Sequence, residues 1–326
     1  MLSRVADSIY WMSRYLERAE NVARFIEVNL NLMLDTSGSG DGNQWEPLVN
    51  ITGDRKLFAQ LYGVPTKENV MQFLTFDRAN PNSILSCVWK ARENARSMRE
   101  IISSEMWEQA NNFYLLVKNA VGTDAVNNPH AFYTEVKMAS HLFDGIADAT
   151  MSHGQAWHFL RLGEMLERAE KTSRILDVKY FILLPGAHDV GSTIDNIQWA
   201  ALLRSASAFE MYRKRYRRIT PDKVVDFLIL NNEFPRAVRY CVDRARESLH
   251  AIGEVPLGLG GNRAERRLGR LSAELNYAQI DEIIAQGLHE FLDDLQTKLN
   301  RIDDAIFDTF FAFPAAATDP ARAQSQ

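Results

Sequence analysis

Nine apolar residues near the start of the chain, Val5, Ile9, Met12, Leu16, Ala19, Ala23, Ile26, Leu30 and Met33, follow one another at steps that alternate four and three. That spacing keeps them on one face of an α-helix, and it predicts a single long helix over 2–34. The stretch TSGSGDGN after Asp35 supplies the breakers that end it. The same period returns along the chain and predicts helices over 45–62, 66–77, 82–104, 106–121, 130–152, 155–184, 194–217, 221–230, 235–252, 263–286 and 288–312. Most of the prolines, Pro47, Pro65, Pro81, Pro129, Pro185, Pro221, Pro235 and Pro256 among them, fall at or near the ends of these segments. No run alternates as a strand does, so the fold class expected is all-α, a helical bundle. The closing PAAATDPARAQSQ, residues 314–326, reads as a disordered tail.

The pattern repeats. Leu16-Glu17-Arg18-Ala19-Glu20 returns as Leu166-Glu167-Arg168-Ala169-Glu170, and Arg24 and Val28 return as Arg174 and Val178, all at an offset of 150. Beyond them the offset becomes 154: Gln44-Trp45 matches Gln198-Trp199, Val70, Phe73, Leu74 and Pro81 match Val224, Phe227, Leu228 and Pro235, and Cys87-Val88 matches Cys241-Val242. One insertion of four residues explains the change. We therefore expect one domain over 1–313 built from two tandem, internally duplicated halves, about 1–152 and 153–313. Residues 1–121 should superpose on 151–275 about an approximate two-fold, with Trp45 and Trp199 in equivalent surroundings.

Composition narrows the class without naming a chemistry. The chain has 326 residues, 46% hydrophobic and 24% charged, which is a globular balance. A net charge of −5 gives no overall basic surface for nucleic acid. Two cysteines rule out a disulfide scaffold. No run approaches the 18 apolar residues of a membrane span, and the charged start does not read as a secretory signal, so the cytoplasm is the default location.

The first helix carries a second stripe opposite its apolar one: Tyr10-Trp11, Glu17-Arg18 and Arg24-Phe25, spaced by seven. The second copy has Leu160-Arg161, Glu167-Arg168 and Arg174-Ile175 in the same places. Large apolar side chains above and below an acid–base pair imply that this side is covered too. Glu20 with Arg24, and Glu170 with Arg174, have the favourable i,i+4 order. The candidate residues are therefore Arg14, Glu17, Arg18, Glu20, Arg24, Glu164, Glu167, Arg168, Glu170 and Arg174. They form either a buried structural network near the interface of the halves or a pocket for a ligand or partner. The expectation is that Glu17, Arg18, Glu167 and Arg168 are largely buried in one network.

At these residues the chain resembles a known family. YLERAENVAR near the start, the second LERAEKTSR, and the ARENAR–EMWEQ stretch are similar to the alpha-E proteins, helical proteins carrying a Glu-Arg motif. The resemblance covers nearly the whole chain. It implies an all-α fold and association with circularly permuted ATP-grasp ligases and transglutaminase-like proteins. The function it implies is that of a helical accessory or partner of a peptide- or amide-forming ligase, non-catalytic alone. The alternative is an enzyme of the same pathway. Its Arg18 and Arg168 would fork an anionic substrate, and its Glu17 and Glu167 would position or deprotonate an amine.

Other patterns carry less. Glu164, Glu167 and Glu170 have i,i+3 spacing but lack the histidine of a di-iron motif, and no set has metal-ligand spacing, so neither metal nor cofactor is expected. Cys87 and Cys241 read as packing thiols, and His141, His153 and His158 as packing residues beside Phe143, Met151 and Trp157. Gly258–Asn262 follows no strand and lacks a Lys-Ser/Thr, so it reads as a loop. Arg213-Lys214-Arg215-Tyr216-Arg217-Arg218 is the sharpest charge cluster, read as a solvated helix end or an acidic-partner contact rather than a nucleic-acid patch.

Overall fold

The structure, a computed structural model, describes residues 1–35, 45–122, 128–182, 193–253 and 261–312, and every regular element among them is helical. In chain order the helices are α1 Ser3–Asp35, α2 Glu46–Thr52, α3 Arg55–Leu61, α4 Lys67–Thr75, α5 Ile84–Ser97, α6 Ser104–Asn119, α7 Pro129–Thr150, α8 Gln155–Ile182, α9 Thr193–Ser205, α10 Phe209–Arg215, α11 Pro221–Ile229, α12 Val238–Gly253, α13 Arg263–Tyr277, α14 Ile280–Gln286 and α15 Leu288–Ile306. A π-helical turn, Phe307–Phe311, follows α15.

Local chemistry sets many of these starts. Thr66, Ser83, Ser103 and Asn262 each accept a hydrogen bond from a backbone N–H in the first turn of α4, α5, α6 and α13. Pro129 and Pro221 open α7 and α11, where their missing N–H costs nothing.

Three expected helices are broken. The segment 45–62 divides at Gly53, whose φ of +80° only glycine adopts without strain. The segment 194–217 divides at Ser207, φ +52°, and its helix ends at Arg215, so Arg217 and Arg218 lie beyond it. The segment 263–286 divides at Ala278–Gln279, where Gln279 and Glu282 form a new capping box. In each case apolar periodicity runs through a turn that a local backbone feature introduces. The expected tail over 314–326 and most of the Gly258–Asn262 loop lie outside the described residues. Asn262 itself caps α13.

At the centre, α1 packs along α8. Helix α1 also packs on α5 and α7, and α8 on α12 and α15. Both faces of α1 are therefore covered: Ile9, Met12, Ala19, Ala23 and Ile26 are buried on one side and Tyr10, Glu17 and Arg24 on the other. Cys87 and Cys241 are buried and free, with Sγ directed at the carbonyls of Pro81 and Pro235. Burial pushes the two thiols up to about 11 and about 12, so both are protonated packing groups. No helix is long and apolar enough to cross a membrane among the described residues.

Candidate functional site

The two central helices approach closely at Gly163. A Cβ at that position would lie 2.4 Å from the Tyr10 carbonyl oxygen and 2.5 Å from Ser13 Oγ. One turn further on, this approach brings the two Leu-Glu-Arg-Ala-Glu segments face to face. Adjacent residues on a helix point about 100° apart, so Glu17 and Arg18 cannot pair with each other. Each finds its partner on the other helix.

Arg18 forks Glu167, Nε to Oε1 at 2.7 Å and Nη2 to Oε2 at 2.9 Å. Arg168 forks Glu17 in the reverse sense, Nε to Oε1 at 3.1 Å and Nη2 to Oε2 at 2.7 Å. Each motif thus gives its acid to the other's base. Arg14 donates from Nε to Glu167 at 2.9 Å and from Nη1 to Asp303 of α15, which also accepts from Tyr10 OH at 2.6 Å. Arg168 also reaches Glu164 at 2.6 Å. Arg24 pairs with Glu20 at 2.6 Å and Arg174 with Glu170 at 2.8 Å, the two i,i+4 pairs of the sequence. All ten candidate residues therefore lie in an ionic layer between α1 and α8, in two adjoining networks rather than the one expected: Arg14, Arg18, Glu167, Glu170 and Arg174 in one, and Glu17, Glu20, Arg24, Glu164 and Arg168 in the other. Glu20 and Glu167 are 0% exposed.

Several members of this layer escaped the sequence reading. Arg236, ahead of α12, donates to Glu17 Oε1 and Asn21 Oδ1 at 2.8 and 3.1 Å and also pairs with Glu20. Asn82 accepts from Arg18 at 2.7 Å. Lys171 lies 3.4 Å from Glu167. Position offered a signal: Asn82 and Arg236 each follow a matched proline, and Asn21 and Lys171 share the 150 offset. Asp303 and Asp144 had no such signal. His141 needs a correction. It is not a packing residue: its half-exposed ring sets Nε2 3.1 Å from Glu20 Oε1 and 3.0 Å from Arg24 Nη2. His153 stacks on Trp157 with ring centres 4.1 Å apart, and His158 meets the same indole edge-on.

Burial alone would raise the carboxylates. Against it, Arg18, Lys171 and Arg14 hold Glu167 well below the usual range. Arg236, the His141 hydrogen bond and Arg24 do the same for Glu20, and Arg168 with Arg236 lowers Glu17. All three are ionised. Arg14 and Arg168 are held well above their ordinary values by the carboxylates they face, despite burial. Asp144 of α7 goes the other way. Burial, then Glu164, Glu20 and Glu17, push it well above the carboxylate range, and Arg168 at 3.9 Å offsets only part of that.

The layer leaves little room for chemistry on an anion. The motif guanidiniums are already forked by carboxylates, so an entering anion would have to displace one. Among the described residues, one group has oxygens close enough to hold a cation: Glu17, Glu20 and Asp144, within 4.8 Å of one another. Spacing along the chain did not reveal it, because α7 contributes Asp144. Arg168 occupies both oxygens of Glu17, while Glu20 Oε2 has no hydrogen-bond partner.

Comparison with known proteins gives relatives but no activity. The chain is 22% identical over 338 residues to uncharacterized proteins of Mycobacterium bovis and of two strains of Mycobacterium tuberculosis. The match takes in 95% of this chain and 37% of each relative, so the chain spans well under half the length of the curated relatives it matches. No solved structure matches it. Residues 1–311 match the model of the Alpha-E family, described as a predicted alpha-helical domain with a conserved ER motif, and the chain belongs to that family.

Proposed function

We propose that this protein is a helical accessory or partner of an ATP-grasp-type peptide or amide ligase, non-catalytic by itself and working in the cytoplasm. The observation that carries this reading is the reciprocal pairing of Arg18 with Glu167 and Arg168 with Glu17. The motif residues spend their hydrogen-bonding capacity on holding α1 against α8. A framework of this kind suits a body that presents its surface to a partner. The coverage of the relatives supports it too, since there the matching region is one part of a much longer chain. Transglutaminase-like proteins are the second class of partner in this reading.

The reading includes a tandem duplication. The 154 offset carries Arg55–Leu61 onto Phe209–Arg215 and Lys67–Thr75 onto Pro221–Ile229. It carries the Phe58–Tyr62–Phe73 ring cluster onto Tyr212–Tyr216–Phe227, both with edge-to-face contacts to the last ring. It also carries Gly53 onto Ser207, both at positive φ. Arg174 Nη1 lies 3.5 Å from a Cβ position at Gly53, and Arg24 donates to Ser207. Each half thus sends its arginine to the turn of the other.

The test is capture of the tagged protein from its native cells at endogenous level, followed by mass spectrometry and reconstitution. An ATP-grasp-type ligase should be recovered, and its ATP-dependent amide formation should rise when this protein is added. Recovery of no such ligase, together with ligase activity indifferent to this protein, would overturn the reading.

A further inference from the structure

Where α7 crosses the ionic layer, Glu17 and Glu20 of α1 come within 4.8 Å of Asp144, which is 28% exposed and connects the layer to solvent. Glu20 is 0% exposed, and its Oε2 carries no hydrogen bond although Oε1 is contacted by Arg24, Arg236 and His141. A fully buried, ionised carboxylate oxygen with no donor is costly and points to a missing one. We propose that Glu20, Asp144 and Glu17 form a binding site for a primary ammonium group, the head of an amine ligand entering beside His141.

The geometry suits this group. Three acceptors that lie within 4.8 Å of one another can all be reached from a single nitrogen at about 2.8 Å, the length of a charged N–H···O bond. An ammonium brings three donors, one for each carboxylate, and Glu20 has one oxygen, Oε2, left open by the protein. A divalent metal fits less well. Arg168 and Arg236 already occupy Glu17, and Arg24 and Arg236 already hold Glu20, so full coordination would strip both carboxylates of their partners.

The charges set a linkage. Asp144 faces Glu17 and Glu20 of α1 and Glu164 and Arg168 of α8, while Arg24, Arg236 and His141 meet the neighbouring Glu20. Without a ligand the acids around it favour its protonated form. An ammonium supplies the same single positive charge, so its binding favours loss of that proton: R–NH3⁺ and the Asp144 acid give the R–NH3⁺–carboxylate pair and H⁺ to solvent. The site deepens the amide-ligase reading, since such a partner consumes an amine, but its test is independent of any ligase.

The full chain is titrated with propylamine hydrochloride by calorimetry in two buffers of different ionisation enthalpy, beside tetramethylammonium chloride and Mn²⁺. Propylamine should bind with a net release of protons, and tetramethylammonium, which has no N–H, should not bind. Asp144→Asn keeps the shape of the protonated acid and should fold. It should weaken propylamine binding at least tenfold and abolish proton release. Any one of three results would overturn the site: equal binding of tetramethylammonium, equal propylamine binding by D144N, or Mn²⁺ binding lost in D144N with no response to propylamine. Co-purification with a ligase bears on none of them, so the two readings fail separately.

Discussion

At the scale of single residues, Arg236 is the most informative side chain in the layer. It is shared by Glu17 and Glu20, and its loss leaves each with one guanidinium, Arg168 and Arg24, and the buried cluster one positive charge short. Arg236→Ala should therefore destabilise by about 3–5 kcal/mol, the usual cost of leaving a buried charge unpaired. Arg213→Ala, at an exposed site on α10, should stay within about 0.5 kcal/mol. Urea unfolding of both variants measures the difference, and equal small effects would contradict the burial of the layer. Arg236 was not legible beforehand because the period over 235–252 places it in a helix, whereas the helix starts at Val238 and Arg236 sits in the turn before it. Glu17, Arg18, Glu167 and Arg168 were legible, since a doubled acid–base pair flanked by large apolar side chains on a covered face has few solvated alternatives. Asp144 and Asp303 reach the layer from α7 and α15, and a pattern within one helix carries no trace of a partner from another.

At the scale of elements, the α1–α8 crossing depends on Gly163. Alanine in a helix interior normally gains about 1 kcal/mol over glycine. At Gly163 the added methyl would overlap the Tyr10 carbonyl and Ser13 Oγ, an overpacking cost of about 1–3 kcal/mol. Gly163→Ala should lower the melting temperature, while Gly269→Ala in α13, where a Cβ would meet nothing within 4 Å, should raise it. A rise for both would mean that the helices do not approach as closely as described. Helix existence was readable from the four-three period almost throughout. The breaks were not: Gly53, Ser207 and Gln279 turn the backbone without interrupting the apolar pattern.

At the scale of the whole molecule, the ionic layer makes stability depend on pH. Glu167, Glu20 and Glu17 are depressed in the folded state, so each binds protons more weakly there than in the unfolded chain. Their contribution is complete above the ordinary glutamate value of about 4.3 and is lost as pH falls below it toward their folded values. Asp144, raised in the folded state, works in the opposite sense and adds stability as pH falls through its folded value. Melting temperature should therefore hold or rise as pH falls to about 5 and then fall steeply as the three glutamates protonate, and added salt should do little, because buried pairs are poorly screened. A gentle, salt-sensitive decline would indicate solvated pairs. The central claim is that two distant segments of the chain are held together by reciprocal buried pairs. Its most direct test is a double-mutant cycle on Arg18 and Glu167, followed by urea unfolding. Glu167→Leu, which also takes the acid from Arg14 and Lys171, should cost about 3–5 kcal/mol and Arg18→Met somewhat less, and the double variant should cost less than their sum by at least about 2 kcal/mol, since Arg18 is then no longer left facing a missing acid. Single effects that add within about 0.5 kcal/mol would contradict it.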